Sequence, residues 1–166
     1  MSCLNTQQTN YATAFQNTTI DENIKWLQNR LNFVRKSIID EQVMIQTKAQ
    51  YDSLTSTLTL YYKDSTNTVI SGVRFFLADL KPENILISEA YTPRTNKKEY
   101  VIFIHVTEGQ NAIQSIESVD GQQKIETSFI PQGISLPDQI NQDKTAVEEI
   151  AGRMQQTIAL INNNQR

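Results

Sequence analysis

The chain has 166 residues, 39% of them hydrophobic and 20% charged. That supplies one core of the usual domain size, about 100–150 residues, plus an arm or tail. A formal charge of −3 and a pI near 5.2 lack the strongly basic footprint of a nucleic-acid binder, so nucleic acid is disfavoured as a partner. Cys3 is the single cysteine, which excludes an intrachain disulfide and fits a reducing compartment. No apolar run is long enough to span a bilayer, and the opening residues lack the pattern of a secretory signal. A soluble, cytoplasmic protein is the expectation, with no membrane contact.

Residues 1–18 are mostly polar and aperiodic and read as a flexible N-terminal segment; Tyr11 and Phe15, four apart, are candidates for a short docking segment. Thr19 and Glu22 then have capping-box spacing, in which hydroxyl and carboxylate each take the other's backbone N–H. Ile20, Ile24, Leu27, Leu31, Val34, Ile38 and Ile45 follow at three-, four- and seven-residue steps. This spacing predicts an amphipathic helix over 20–50, within a segment 19–51 of coiled-coil character. Trp26, Phe33 and Met44 widen its apolar face. Such a helix would be about 45 Å long at 1.5 Å per residue, more than one small sheet covers. Ile24, Leu27, Leu31, Val34, Ile38 and Ile45 are therefore candidate partner-binding residues, for another protein or a second copy.

From Leu54 the period becomes two. Leu54, Leu58, Leu60 and Tyr62 share a strand face, and a polar turn over 63–67 leads to a strand carrying Val69, Val73, Phe75 and Leu77. Pro82 precedes a short strand at 85–87. The connection at 92–99 carries Arg94, Lys97 and Lys98, a candidate contact for an acidic partner. A core strand is predicted over 100–107 and a weaker strand over 112–119. Asp120-Gly121 marks a two-residue hairpin, with a return strand over 124–130. Pro131, Gly133 and Pro137 interrupt regular structure. Thr145 and Glu148 repeat the capping spacing before a helix over 145–162 with a stripe of Val147, Ile150, Ala151, Met154, Ile158 and Ile161. Region 52–166 thus reads as an antiparallel meander sheet of four to six strands plus a C-terminal helix. The fold class is α+β, because strands do not alternate with crossover helices.

Three groups carry residue types suited to chemistry. Asp79-Leu80-Lys81-Pro82-Glu83-Asn84 resembles the catalytic loop of protein kinases, with Asp79 as base and Asn84 as magnesium ligand. Leu77 and Ala78 stand where that loop needs histidine and arginine, and no Asp-Phe-Gly follows. The segment reads instead as a proline-marked turn. His105, the single histidine, shares a strand face with Val101 and Phe103 and reads as a packing residue. One histidine and one cysteine fall short of a structural zinc site. Asp79, Glu83, Glu89, Glu99 and Glu108 are carboxylates whose convergence sequence leaves open. No cofactor and no catalytic residue is expected.

The run Ser71-Gly72-Val73-Arg74-Phe75-Phe76, followed by Glu99-Tyr100-Val101-Ile102-Phe103-Ile104, is similar to the central strands of the Spc25-type kinetochore subunit, with a further echo in Asn141, Val147 and Arg153. The resemblance implies an RWD-like head over 54–162, pairing of 20–50 with another subunit's helix, and a nuclear, kinetochore setting. The function expected is a non-catalytic structural or adaptor subunit assembling through its N-terminal helix. The alternatives are a small acidic chaperone or inhibitor-type binding module, and a carboxylate-dependent hydrolase.

Overall fold

The computed structural model describes residues 11, 17–37, 40, 42–93, 96–107 and 109–166. The chain is α+β, with antiparallel sheets and flanking helices. Helix α1 (Ile20–Leu31) opens on the predicted box: Thr19 donates its N–H to Glu22 Oε2 at 2.8 Å, and Glu22 donates its N–H to Thr19 Oγ1 at 3.2 Å.

The helix ends at Leu31, which corrects the expected extent of 20–50. Asn32 takes extended backbone and donates its N–H to Gln28 O at 3.1 Å. Its side-chain oxygen accepts the Ala49 N–H at 2.7 Å, extending by one bond the ladder between β1 (Phe33–Lys36) and β2 (Met44–Asp52). The reason lies in the pattern of β2. Ile45, Thr47 and Ala49 point inward and are buried, while Met44, Gln46, Lys48 and Gln50 are exposed. That is a period of two. The three-residue step from Leu31 to Val34 continues the helical spacing across what is in fact the change from α1 to β1. Where a coiled-coil arm was expected, residues 33–36 and 44–52 form a hairpin on the sheet.

The single expected meander is also divided. One sheet has six strands in the order β1-β2-β3-β4-β7-β8, and a second has three in the order β5-β6-β9. Strands β3 (Thr57–Lys63) and β4 (Val69–Phe76) pair across a turn in which Asp64 Oδ1 accepts the Thr66 and Thr68 N–H groups. Leu58, Leu60, Val73 and Phe75 fill their inner face. Leu54 is not on that face; it lies 95% exposed in the preceding turn. Two 3-10 turns (Leu77–Asp79 and Pro82–Asn84) then carry the chain to β5 (Ile85–Thr92) and β6 (Lys97–Ile104) of the second sheet. It returns to the first for β7 (Ile113–Val119) and β8 (Gln122–Thr127), and crosses back for β9 (Gln132–Ile134).

A short turn of helix, α2 (Asp138–Asn141), leads to α3 (Lys144–Asn164). Asp143, rather than Thr145, caps α3: its Oδ1 accepts the Thr145 and Ala146 N–H groups at 3.0 and 3.3 Å. Val147, Ile150, Ala151, Met154, Ile158 and Ile161 form the predicted stripe and are buried. They join Leu27 and Leu31 of α1 and residues of both sheets in one continuous cluster. The segment expected as a separate arm therefore contributes to the core of the body. Arg153 of α3 donates to Asn23 Oδ1 at 3.0 Å and stacks 5.0 Å from the centroid of the Trp26 ring, fastening α1 to α3.

Candidate protein-interaction surface

The clearest departure from an ordinary surface lies at the far end of the six-stranded sheet. Asp120 and Gly121 both have positive φ, 51° and 76°, as the predicted two-residue turn requires. They join β7 to β8, the last strand of the sheet. All six residues of β8 are exposed. Along β7 the inward face runs Ile113, Ser115, Glu117, so the core's apolar layer stops after Ile113. On that face of β8 stand Lys124 and Glu126, paired at 2.8 Å, with Lys124 also directly across from Glu117. The Lys124 ammonium is raised above its ordinary pKa, first by the hydrogen bond to Glu126, then by that carboxylate's charge.

The outer face of the hairpin carries one apolar row between polar neighbours. Tyr61, Gly72, Ile116 and Ile125 are consecutive partners across β3, β4, β7 and β8, so they form one row. A Cβ at Gly72 would lie 3.5 Å from the Tyr61 ring and 3.6 Å from Ile116, which locates that ring and side chain against the bare backbone. Ile116 is 1% exposed, whereas Ile125, at the end of the row, is 43% exposed. Val119 beside the turn is also exposed, and Phe129 and Ile130, just beyond β8, are each 67% exposed.

Two of the other sheet edges are short, and the third is covered at its start. β1 has four residues, β9 has three, and β5 begins under α3, where Gln155 Nε2 donates to Ile85 O. Short or covered edges resist pairing with another chain. β8 has six residues and, among the described residues, none that covers it.

The residues singled out from the sequence lie elsewhere. Ile24, Leu27 and Leu31 are buried in the cluster formed with the chain's own sheets and α3, Ile45 is buried on β2, Val34 is exposed on β1, and Ile38 and Arg94 fall outside the described residues. Lys97 donates to Gln142 Oε1 at 3.3 Å, and Lys98 is paired with Glu89 at 3.1 Å, so both cations are engaged within the chain.

The kinase-like segment is a structural turn. Asn84, 4% exposed, accepts the Lys81 N–H at 2.7 Å and donates to His105 O at 2.7 Å. Its amide is thus spent on backbone. His105 has an exposed side chain, which corrects its reading as a packing residue; what the fold uses is its main chain. Of the five carboxylates, Asp79 and Glu83 line one open cleft of about 700 Å³ together with Lys81 and Arg166. Glu89 and Glu99 point to opposite faces of the second sheet, and Glu108 and Cys3 lie outside the described residues. Among the described residues no three His, Cys, Asp or Glu side chains come together to hold a metal ion, and no helix is long and apolar enough to cross a membrane.

Sequence reasoning found the hairpin but placed Phe129 and Ile130 at the end of its return strand. A signal was present: two large apolar residues stand directly before Pro131, which cannot donate to a strand ladder. No protein-family model, curated protein or solved structure matches the chain.

Proposed function

We propose that this chain is a non-catalytic protein-interaction module, an adaptor or assembly subunit, that docks through the β7–β8 hairpin and the adjoining Phe129-Ile130 segment. The observation that carries this reading is Phe129 and Ile130, side by side and 67% exposed, next to an edge strand exposed along its whole length. Covering a large apolar side chain yields roughly 1.5–3 kcal/mol, and an open edge strand offers main-chain hydrogen bonds to an extended partner. The N-terminal helix acts in this reading as part of the body rather than as the assembly device.

The test compares wild type with the double variant Phe129→Asp/Ile130→Asp as baits in an extract of the source cells, with bound proteins quantified by mass spectrometry. Both positions are exposed, so the thermal midpoint should stay within about 2 °C of wild type, in keeping with a surface change under about 0.5 kcal/mol. Proteins retained by wild type should be lost from the variant. Equal retention by the two baits defeats the reading.

A further inference from the structure

We infer that the edge of β8 pairs with β8 of a second copy of this chain, antiparallel and centred on Ile125. The inference rests on the reading of the hairpin as a docking surface and names its occupant.

The direction of each backbone group follows from the ladder. Ser128 donates its N–H to Ile113 O at 2.8 Å, in step with the pairs Glu126 with Ser115, Lys124 with Glu117 and Gln122 with Val119. Even-numbered residues of β8 therefore turn their N–H and C=O groups toward β7. Gln123, Ile125 and Thr127 turn theirs to the open edge. In an antiparallel ladder only residues facing the partner exchange hydrogen bonds, and the residues between them bring their side chains closest.

Centring two copies on Ile125 satisfies both rules at once. Ile125 meets Ile125, and Gln123 meets Thr127 on each side, so every outward-facing residue of β8 finds an outward-facing residue. Between them, Lys124 of each copy falls opposite Glu126 of the other. On the inner face each lysine then stands between two carboxylates, Glu117 of its own chain and Glu126 of the second copy. On the outer face the row Tyr61, Gly72, Ile116, Ile125 continues without a break into Ile125, Ile116, Gly72, Tyr61 of the other copy. The half-exposed end of the row becomes its middle.

Neighbouring arrangements are worse. Centring on Lys124 sets lysine against lysine, and centring on Glu126 sets glutamate against glutamate, which disfavours each. The strand thus carries a charge pattern that reads correctly against itself in one register, the isologous contact expected of a two-fold dimer.

Light scattering after size exclusion should give twice the 19.0 kDa chain mass for wild type. Lys124→Glu alone and Glu126→Lys alone each replace two attractive cross-pairs with two repulsive ones and should weaken the dimer by at least about tenfold. Mixing those two variants should restore a heterodimer, because every cross-pair is again of opposite sign. In a Cys3→Ser background, Ile125→Cys should form an intersubunit disulfide, since facing residues in such a pair lie about 5.5 Å apart. Gln123→Cys should crosslink to Thr127→Cys and not to itself. A wild-type chain that stays monomeric at millimolar concentration overturns the inference, as does a dimer indifferent to both single charge reversals. If the dimer is absent while Phe129→Asp/Ile130→Asp still abolishes capture of other proteins, self-pairing falls and the docking reading stands. If both are absent, both fall.

Discussion

Asn84 shows how a residue type that suggests chemistry can be committed to architecture. Its side-chain oxygen closes the turn begun at Lys81, and its amide nitrogen reaches His105 O and, at 3.3 Å, Gln110 Oε1. His105 in turn donates its N–H to Asn84 O at 2.8 Å. The turn that leaves the first sheet is thereby pinned to the end of β6. Asn84→Ala leaves those backbone groups without partners at a site that water barely reaches. It should cost about 1–3 kcal/mol, read as a lower urea midpoint at unchanged slope. A stability unaffected by Asn84→Ala would mean that this network is incidental.

At the scale of elements, the start of α1 was legible because capping is local chemistry. The same geometry makes a pH prediction. Glu22 is held below its ordinary value of 4.5, first by the Thr19 N–H, then by the Thr19 hydroxyl. A carboxylate depressed in the folded state contributes stability that is present above its unfolded value and is lost as pH falls through its folded one. Wild type should therefore exceed Glu22→Gln in thermal midpoint at neutral pH, and the gap should close as pH drops below about 4.5. A gap that is constant from pH 7 to 3 contradicts the cap's contribution. The end of α1 was not legible, because what stops it is a partner seventeen positions on: Ala49, whose N–H takes the Asn32 side chain. Strands β3 and β4 and the stripe of α3 were legible because their inward residues are mostly large and apolar. β2 was missed because, of Ile45, Thr47 and Ala49 on its inward face, only Ile45 is both large and apolar. The division into two sheets was equally hidden, since it depends on the 3-10 turns between Leu77 and Asn84 redirecting the chain. The docking surface was legible only in part: the turn was marked by its residue types, whereas the exposure of Ile125, Phe129 and Ile130 depends on where the core ends.

For the molecule as a whole, the decisive fact is that one apolar cluster includes Leu27 and Leu31, both sheets and α3. An amphipathic arm reserved for a partner would behave differently from a helix that closes its own core. Leu31 is fully buried, so Leu31→Ala should cost about 2–5 kcal/mol of global stability. Trp26, the chain's single tryptophan, sits on α1 against α3 and reports that junction by fluorescence, while far-UV circular dichroism reports the sheets and helices together. If the body is one cooperative unit, the two signals change at the same urea concentration in wild type, and both shift together in Leu31→Ala. If α1 were an independent arm, fluorescence would change alone and the dichroism of the sheets would hold its midpoint. Below its unfolding range, Leu31→Ala should also leave self-association unchanged, because Leu31 lies in the core whereas the pairing strand, β8, lies wholly on the surface.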